Sequence, residues 1–327
     1  MDPITVIRYA FLFNSAATIL AKYTPALSRR FIAYGVSAEP IPEGYKEKRP
    51  PPSDTPVSRF LDAAAEAKTP HSWFTHFYYV CFACNLFWAW QIVTHGSVYQ
   101  LLSSYITPPV AATVSESGRK AVVGQTIHQV VLTWLCFMIQ ASRRIYECLY
   151  IQKPGASKMW VGHYAIGIWF YLTMSIAIWI EGTAAINQFN FTPMNFYNLV
   201  GPPSLKSLFG IILFLLGSGI QHDTHVYLAT LKKYTLPTGP FFDSLLCPHY
   251  AAECLIYLAL SLLSAPRGVG MPVNGTVLAG LVFVVVNLGC SSLSTREWYI
   301  QKFGRHSVER EFLPPTFLAL PCLGIFY

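Results

Sequence analysis

Charged side chains are scarce in this sequence. Asp, Glu, Lys and Arg make up 12% of its 327 residues, which is about half of the fraction that soluble globular domains carry. The shortfall lies in long apolar runs, which excludes one large water-soluble core and indicates that much of the chain is solvated by lipid. The net charge of +7 comes from short basic clusters between these runs. That pattern is typical of membrane topology and provides no groove for nucleic acid.

Several short nucleotide-binding and hydrolytic motifs are also missing. The chain has neither G-x-x-x-x-G-K-[ST] nor G-x-S-x-G, and its GSG at 217–219 lies in an apolar run, so it is no dinucleotide-binding turn. Cys81 and Cys84 form a C-x-x-C, but no second pair and no adjacent histidine completes a zinc set. We interpret the eight cysteines mainly as packing residues. These absences leave little support for a hydrolase, an NTPase or a metal site.

Seven apolar segments approach the length of about 20 residues that a membrane-spanning helix needs. Basic residues gather in the odd-numbered connections and in the tail, so the positive-inside rule predicts a lumenal N-terminus and a cytosolic C-terminus. Two glycosylation sequons, at Asn190 and Asn274, fall in even-numbered connections and agree with this orientation. The predicted fold is an all-α, multi-pass integral membrane protein with about seven transmembrane helices, at residues 4–24, 72–94, 128–150, 161–182, 205–230, 250–266 and 272–295.

Ionisable residues in or beside membrane helices are costly, so each marks a candidate functional site. Arg143 and Glu147, four residues apart, can pair on one face of the third segment; the alternative is an arginine that snorkels to the interface. His222 and His225 share a face of the fifth segment, but the sequence offers no third and fourth metal ligands beside them. The seventh segment runs into STREWYIQKFGRHSVEREFLPP (294–315), an aromatic and basic stretch that suits an anionic nucleotide.

Several runs resemble a known family. LKKYTLPTG (231–239), PHYAAE (248–253) and WYIQKF (298–303), with LPP at 313–315, resemble the C-terminal domain of the steroid 5α-reductase family. WFTHFY (73–78) and RRIYECLY (143–150) resemble its polyprenol reductase branch. The resemblance covers about residues 72–315 and is strongest after residue 220. We therefore divide the chain into residues 1–71, with the first span and a proline-rich cytosolic connection, and residues 72–327, with six spans and an NADPH-binding part at about 205–315.

The resemblance implies a reductase of the endoplasmic reticulum membrane that uses NADPH to saturate the α-isoprene double bond of a polyprenal or polyprenol. This reaction belongs to dolichol biosynthesis and supports protein N-glycosylation. The implied partner is an isoprenoid lipid within the membrane, and no obligate protein partner is evident. By similarity, the cofactor-binding positions are Arg144, His225, Lys232, Tyr234, His249, Glu253, Tyr299 and Arg310.

Two positions depart from the family pattern. Arg296 stands three residues before Tyr299, where the family usually has histidine, and His249 stands where asparagine is common. Arg296 can still bind a phosphate, so it is retained as a cofactor-binding candidate.

Hydride addition to carbon requires an electron-poor alkene. A conjugated aldehyde meets this requirement because the negative charge moves to oxygen, where a hydrogen-bond donor stabilises it. An isolated allylic alcohol does not, so we expect polyprenal to be the direct substrate, with polyprenol as the alternative. The candidate donors are His76, Tyr78 and Tyr146. For His76, the alternative is a histidine that only packs between helices.

Two other functions stay open. A related 3-oxo-5α-steroid or enoyl-thioester reductase would need a different pocket and a different donor in the second segment, and the WFTHFY run argues against it. A seven-span transporter or receptor would place polar residues near the bilayer midplane. In this sequence they gather at the predicted cytosolic helix ends.

Overall fold

The computed structural model describes residues 1–32, 55–106, 124–153, 155, 157–199, 201–232, 235–239, 241–243, 245–266 and 272–311. Within these ranges the chain is mostly helical, and the only strands are the three-residue β1 (Lys68–Pro70) and β2 (Lys158–Trp160). The α-helices are α1 (Pro3–Tyr23), α2 (Pro25–Leu27), α3 (Pro56–Glu66), α4 (Thr75–Val93), α5 (Ser97–Ser104), α6 (Ile127–Tyr146), α7 (Val161–Ala177), α8 (Thr183–Gln188), α9 (Pro193–Asn198), α10 (Leu205–Thr230), α11 (Pro248–Leu263), α12 (Gly275–Phe303) and α13 (Arg305–Glu311).

Short turns of other helix types adjoin several of these helices. π-Helical turns follow α2 (Ser28–Ile32) and α6 (Glu147–Ile151). A 3₁₀ turn, His71–Phe74, leads into α4, and another, Ile180–Gly182, separates α7 from α8. The π turn after α6 carries Glu147, so the local winding of the helix changes at a buried charge.

All seven predicted segments are helical, which confirms a helical membrane protein, but they differ in length and in apolar character. Within the described residues, four helical stretches are long and apolar enough to cross a membrane: Pro3–Tyr23, Val161–Gln188, Leu205–Thr230 and Gly275–Phe303. His71–Val93 and Ser97–Ser104, bent by 83° relative to each other, form a fifth candidate if they are one span. The remaining predicted segments correspond to α6, which ends in charged residues, and to α11, which has 16 residues.

Three features differ from the sequence predictions. β1 and β2 pair as an antiparallel ribbon. The sequence could not predict this pairing, because each strand has only three residues and the two lie 90 positions apart. α12 does not stop near residue 295 but continues to Phe303, and Gly304 ends it with a φ of 84° that favours glycine. Asn274 is fully buried, and its side chain caps α12 by accepting from the N–H groups of Thr276 and Val277. This second sequon is therefore a structural cap in the folded protein.

A close approach between α10 and α11 positions the polar residues at one end of the bundle. A Cβ added at Gly210 would lie 2.7 Å from Leu263 Cδ2. A Cβ added at Gly217 would lie 3.0 Å from Ile256 Cγ1 and 3.1 Å from the Ala252 carbonyl oxygen. The two helices can lie this close because these positions lack side chains, as in other membrane helix pairs.

A separate ion pair joins three elements at the other end of the bundle. Arg8 Nη2 of α1 donates to Glu181 Oε1 at 2.8 Å, and the same oxygen accepts from the backbone N–H and the hydroxyl of Thr276 at 2.9 and 2.6 Å. The Glu181 side chain is 9% exposed. Because a carboxylate in apolar surroundings requires such partners, Glu181 fastens α1 and α12 to the turn that follows α7.

Candidate functional site

Three helices each carry a stripe of polar residues at three- and four-residue spacing, and the stripes face one another. Residues at this spacing lie on one face of a helix, so each helix presents its polar groups to the same interior space. α11 packs between α10 and α12 and also contacts α6, and the π turn after α6 reaches α10. The stripes are Gln140, Arg143, Arg144 and Glu147 from α6 and its π turn, Gln221, His222 and His225 from α10, and His249 and Glu253 from α11.

Glu147 lies at the centre of this cluster and is fully buried. Its Oε1 accepts from Arg143 Nη1 and lies 2.9 Å from His222 Nδ1. Its Oε2 accepts from Arg144 Nη1 and lies 2.7 Å from His225 Nδ1. The pairing of Arg143 with Glu147, predicted from their spacing, is confirmed. Each carboxylate oxygen thus has one arginine and one histidine as neighbours.

A chain of amides connects this centre to α11. Arg143 Nη2 donates to the side-chain oxygens of both Gln140 and Gln221. Gln140 Nε2 donates to Glu253 Oε2 at 3.2 Å, and Gln221 Nε2 also donates to that oxygen. The two buried or half-buried carboxylates therefore share one network with two guanidinium groups, which balances their charge in a setting of low polarity.

Tyr78 joins the cluster from α4. Arg144 Nε donates to the Tyr78 hydroxyl oxygen at 2.9 Å, and the guanidinium carbon lies 4.8 Å from the centre of the tyrosine ring. Both side chains are buried. Because the tyrosine oxygen accepts from Arg144, its own hydroxyl proton is left for another acceptor.

The other two donor candidates lie elsewhere. His76 is two residues from Tyr78 on the same helix and points to a different face; its Nδ1 lies 3.1 Å from the hydroxyl of Tyr164, and its ring contacts Trp73. Tyr146 is 52% exposed on the outer surface of the bundle, where its ring lies 5.3 Å from the ring of Tyr150. Of the three candidates, the structure brings only Tyr78 to the polar cluster.

The cofactor-binding candidates fall into two groups. Arg144, His225 and Glu253 are members of the cluster, and the His249 ring lies 5.6 Å from that of His225. Tyr299 belongs to a neighbouring apolar cluster with Phe242 and Tyr250, and the Tyr250 ring lies 4.3 Å from His249, so the two clusters adjoin.

The remaining candidates contact neither group through a described bond. Arg296 lies 3.7 Å from Glu309 of α13, and Lys232 is exposed just after α10. Tyr234 and the side chain of Arg310 lie outside the described residues.

Several members of the site were not predicted from the sequence. Gln140 and Gln221 bridge Arg143 to Glu253, and the buried Tyr171 extends the aromatic wall from Tyr78, with ring centres 5.6 Å apart. The glutamines carried a usable signal, since each lies three or four residues from an arginine or histidine on its own helix. Tyr171 gave no such signal because aromatic residues are common throughout the membrane helices.

The arrangement provides hydrogen-bond donors and positive charge but no metal centre. No group of three His, Cys, Asp or Glu side chains in the described part of the chain is arranged to hold a metal ion. Each oxygen of Glu147 instead accepts from an arginine and lies beside a histidine nitrogen. His249 Nδ1 and Arg143 Nε are buried without a hydrogen-bond partner. Such groups can bind an anionic ligand that also presents acceptor atoms.

A buried polar cluster with two paired arginines, at the ends of long apolar helices, defines the class: a multi-pass membrane protein. Residues 171–318 match the protein family described as 3-oxo-5-alpha-steroid 4-dehydrogenase, so this part of the chain is a domain of the steroid 5α-reductase family. Relatives named polyprenal reductase match most of the chain. The one from Saccharomyces cerevisiae is 26% identical over 254 residues, 77% of this chain and 76% of its own length.

Two further relatives agree. The polyprenal reductase of Caenorhabditis elegans is 26% identical over 260 residues, 76% of this chain and 79% of its own length. Polyprenal reductase 1 of Oryza sativa subsp. indica is 25% identical over 312 residues, 83% of this chain and 85% of its own length. The similarity therefore extends well beyond the C-terminal domain and includes the helices that carry Tyr78 and Arg144.

The close approach of α10 and α11 gives a test of how the site is held. In Gly217→Ala, the added methyl group meets backbone atoms of α11 that cannot rotate away, so we expect a loss of about 1–3 kcal/mol of stability from overpacking. Gly219→Ala is the matched control, because no atom lies within 4 Å of the added methyl. The control should be neutral or up to about 1 kcal/mol more stable through helix propensity. Thermal unfolding of the detergent-solubilised variants measures both, and equal stability would contradict the packing argument.

Proposed function

We propose that this protein is an NADPH-dependent polyprenal reductase that saturates the α-isoprene double bond of a polyprenoid aldehyde on the way to dolichol. The similarity to polyprenal reductases over about three quarters of the chain supports this function, as does the steroid 5α-reductase family domain, which indicates an oxidoreductase that acts on a C=C bond. The single structural observation that carries the proposal is the buried Tyr78 hydroxyl beside Arg144, since it provides a donor for a carbonyl oxygen.

The donor set fits an anionic dinucleotide. Arg143 and Arg144 bring two positive charges to the cluster, and the unpaired Nδ1 of His249 offers a further polar contact. We propose that NADPH is held by the cofactor-binding candidates, with the cluster on one side and the α12–α13 region on the other. Arginine and lysine match phosphate oxygens, and tyrosine and histidine provide donors and stacking faces. The proposed set is Arg144, His225, Lys232, Tyr234, His249, Glu253, Arg296, Tyr299 and Arg310.

When bound, NADPH would supply the hydride that adds to the β-carbon of the conjugated aldehyde. Tyr78 donates its hydroxyl proton in a hydrogen bond to the carbonyl oxygen, where the negative charge develops. Arg144 stabilises the tyrosine oxygen in that state by donating to it from Nε. The α-carbon of the resulting enolate then takes a proton that derives from solvent, so that the hydride and the proton together convert the C=C bond into a C–C single bond with two new C–H bonds.

We also propose the membrane arrangement of the whole chain: seven spans in the endoplasmic reticulum membrane, with a lumenal N-terminus and a cytosolic C-terminus. The five candidate spans, together with α6 and α11, would provide seven crossings. The distribution of basic residues supports the orientation, because it places the arginine cluster of α6 on the cytosolic side, where NADPH is available.

The substrate assignment is tested with purified protein and NADPH, with polyprenal and polyprenol offered separately and the products identified by mass spectrometry. We expect polyprenal to gain two hydrogens at the α-isoprene unit and polyprenol to stay unchanged, because the alcohol cannot delocalise the negative charge onto oxygen. Reduction of a 3-oxo-steroid or an enoyl-thioester, with polyprenal unchanged, would contradict this assignment and favour the related steroid or enoyl-thioester reductase. Failure to bind NADPH would instead favour a transporter or receptor.

The donor assignment is tested by Tyr78→Phe, which removes only the hydroxyl group. We expect kcat for polyprenal to fall by about 10²–10³, within the range for a lost general acid, while the Kd of NADPH changes little. Tyr79→Phe is the matched control, because Tyr79 is the next residue and is exposed on the outer face. A comparable loss of kcat in His76→Ala or Tyr146→Phe, with Tyr78→Phe active, would move the role to that residue.

The orientation is tested by labelling introduced cysteines in sealed microsomes with a membrane-impermeant maleimide, with the unsubstituted protein as background. Arg305→Cys, near the C-terminus, should react in intact microsomes. Asn190→Cys should react only after permeabilisation, because the connection after α8 is proposed to be lumenal. Both native positions are exposed, so accessibility on each side reports topology and not burial. The opposite labelling pattern would reverse the orientation.

A further inference from the structure

Glu147 has more basic neighbours than a buried carboxylate needs for its own stability. One well-placed arginine can neutralise a carboxylate, whereas Glu147 contacts Arg143, Arg144, His222 and His225. Two guanidinium groups held this close repel each other, unless a negative charge lies between them. The carboxylate of Glu147 therefore keeps two guanidinium groups close together that would otherwise repel each other.

The neighbours of Glu147 face two different environments. Arg144 is 4% exposed and points inward, where its Nε donates to Tyr78. Arg143 and His222 have side chains that are 16% and 35% exposed, so they lie on the open side of the cluster. Glu147 thus connects the buried pair of Arg144 and Tyr78 to the partly exposed Arg143 and His222.

We propose that Glu147 is a positioning residue of the reductase site. It holds Arg144 against Tyr78, and it holds Arg143 and His222 where phosphate oxygens of the nucleotide can reach them. His222 Nδ1 faces the carboxylate at 2.9 Å, which leaves Nε2 of the same ring for a second partner. This inference rests on the proposed function, and it adds Arg143 and His222 to the groups that bind the cofactor.

The decisive variant is Glu147→Gln, which keeps the size of the side chain and removes its charge. An amide has one acceptor oxygen in place of two and places an NH₂ group against arginine donors. We expect the Kd of NADPH to rise about 10- to 100-fold and kcat to fall by a similar factor, comparable to the loss of one charge-assisted hydrogen bond. Glu147→Asp, which keeps the charge on a shorter side chain, should recover part of both losses.

Glu181→Gln is the matched control. Glu181 is also a buried carboxylate paired with an arginine, but it lies at the other end of the bundle. We expect this variant to unfold at lower temperature while its folded fraction keeps the Kd of NADPH and kcat within about twofold of the unsubstituted protein, because its partners do not contact the cluster.

NADPH binding by fluorescence titration and single-turnover reduction of polyprenal are measured on the folded, purified variants. A purely structural role for Glu147 would lower the unfolding temperature of Glu147→Gln and leave Kd and kcat near those of the control, which would overturn the proposal. Should Glu147→Gln fail to fold, unchanged Kd and kcat in Glu147→Asp would overturn it equally. NADPH titration needs no lipid, so a protein that binds NADPH without reducing polyprenal refutes the substrate alone.

Discussion

Charges that lie among apolar helices must be paired, and the structure depends on how this chain pairs them. An isolated carboxylate or guanidinium in such surroundings costs several kcal/mol. The chain meets this constraint at both ends of the bundle, through Arg8 with Glu181 and through the arginines around Glu147. The first pair is simple and fastens helices together. The second joins two arginines and two carboxylates in one network, with Arg143 and His222 on its partly exposed side.

The glycines of α10 have their effect through this second cluster. Gly210 and Gly217 let α10 lie directly against α11, which brings Gln221 to Glu253 across the interface. Without that contact, Glu253 would lose one of its two amide donors, and Gln140 alone would link Arg143 to α11. The polar contacts therefore depend on the packing of the small residues, because only a short distance between α10 and α11 makes these contacts possible.

The sequence predicted the helices well because lipid imposes long apolar runs, and it predicted the pairing of Arg143 with Glu147 because both lie on one helix. It could not predict which face of α4 enters the site. His76 and Tyr78 both lie in the first turn of α4, and only the packing of α4 against α6 decides that Tyr78 meets Arg144. The ribbon of β1 and β2 was missed for the same reason, since two strands this short are recognisable only from their pairing in the folded chain.

The proposed site combines residues from inside and outside the matched family domain. The family domain, residues 171–318, contributes His225, His249 and Glu253, which belong to the proposed cofactor side. Tyr78, Arg144 and Glu147 come from α4, α6 and the π turn, all of which precede that domain. A carbonyl donor on helices outside the domain can change while the cofactor side stays the same. The contact from Arg144 and Glu147 to His225 is then the junction at which the two parts must fit. On the proposed function, the carbonyl group of the substrate meets α4 and α6, while the cofactor is held by residues on both sides of this junction, Arg144 of α6 among them.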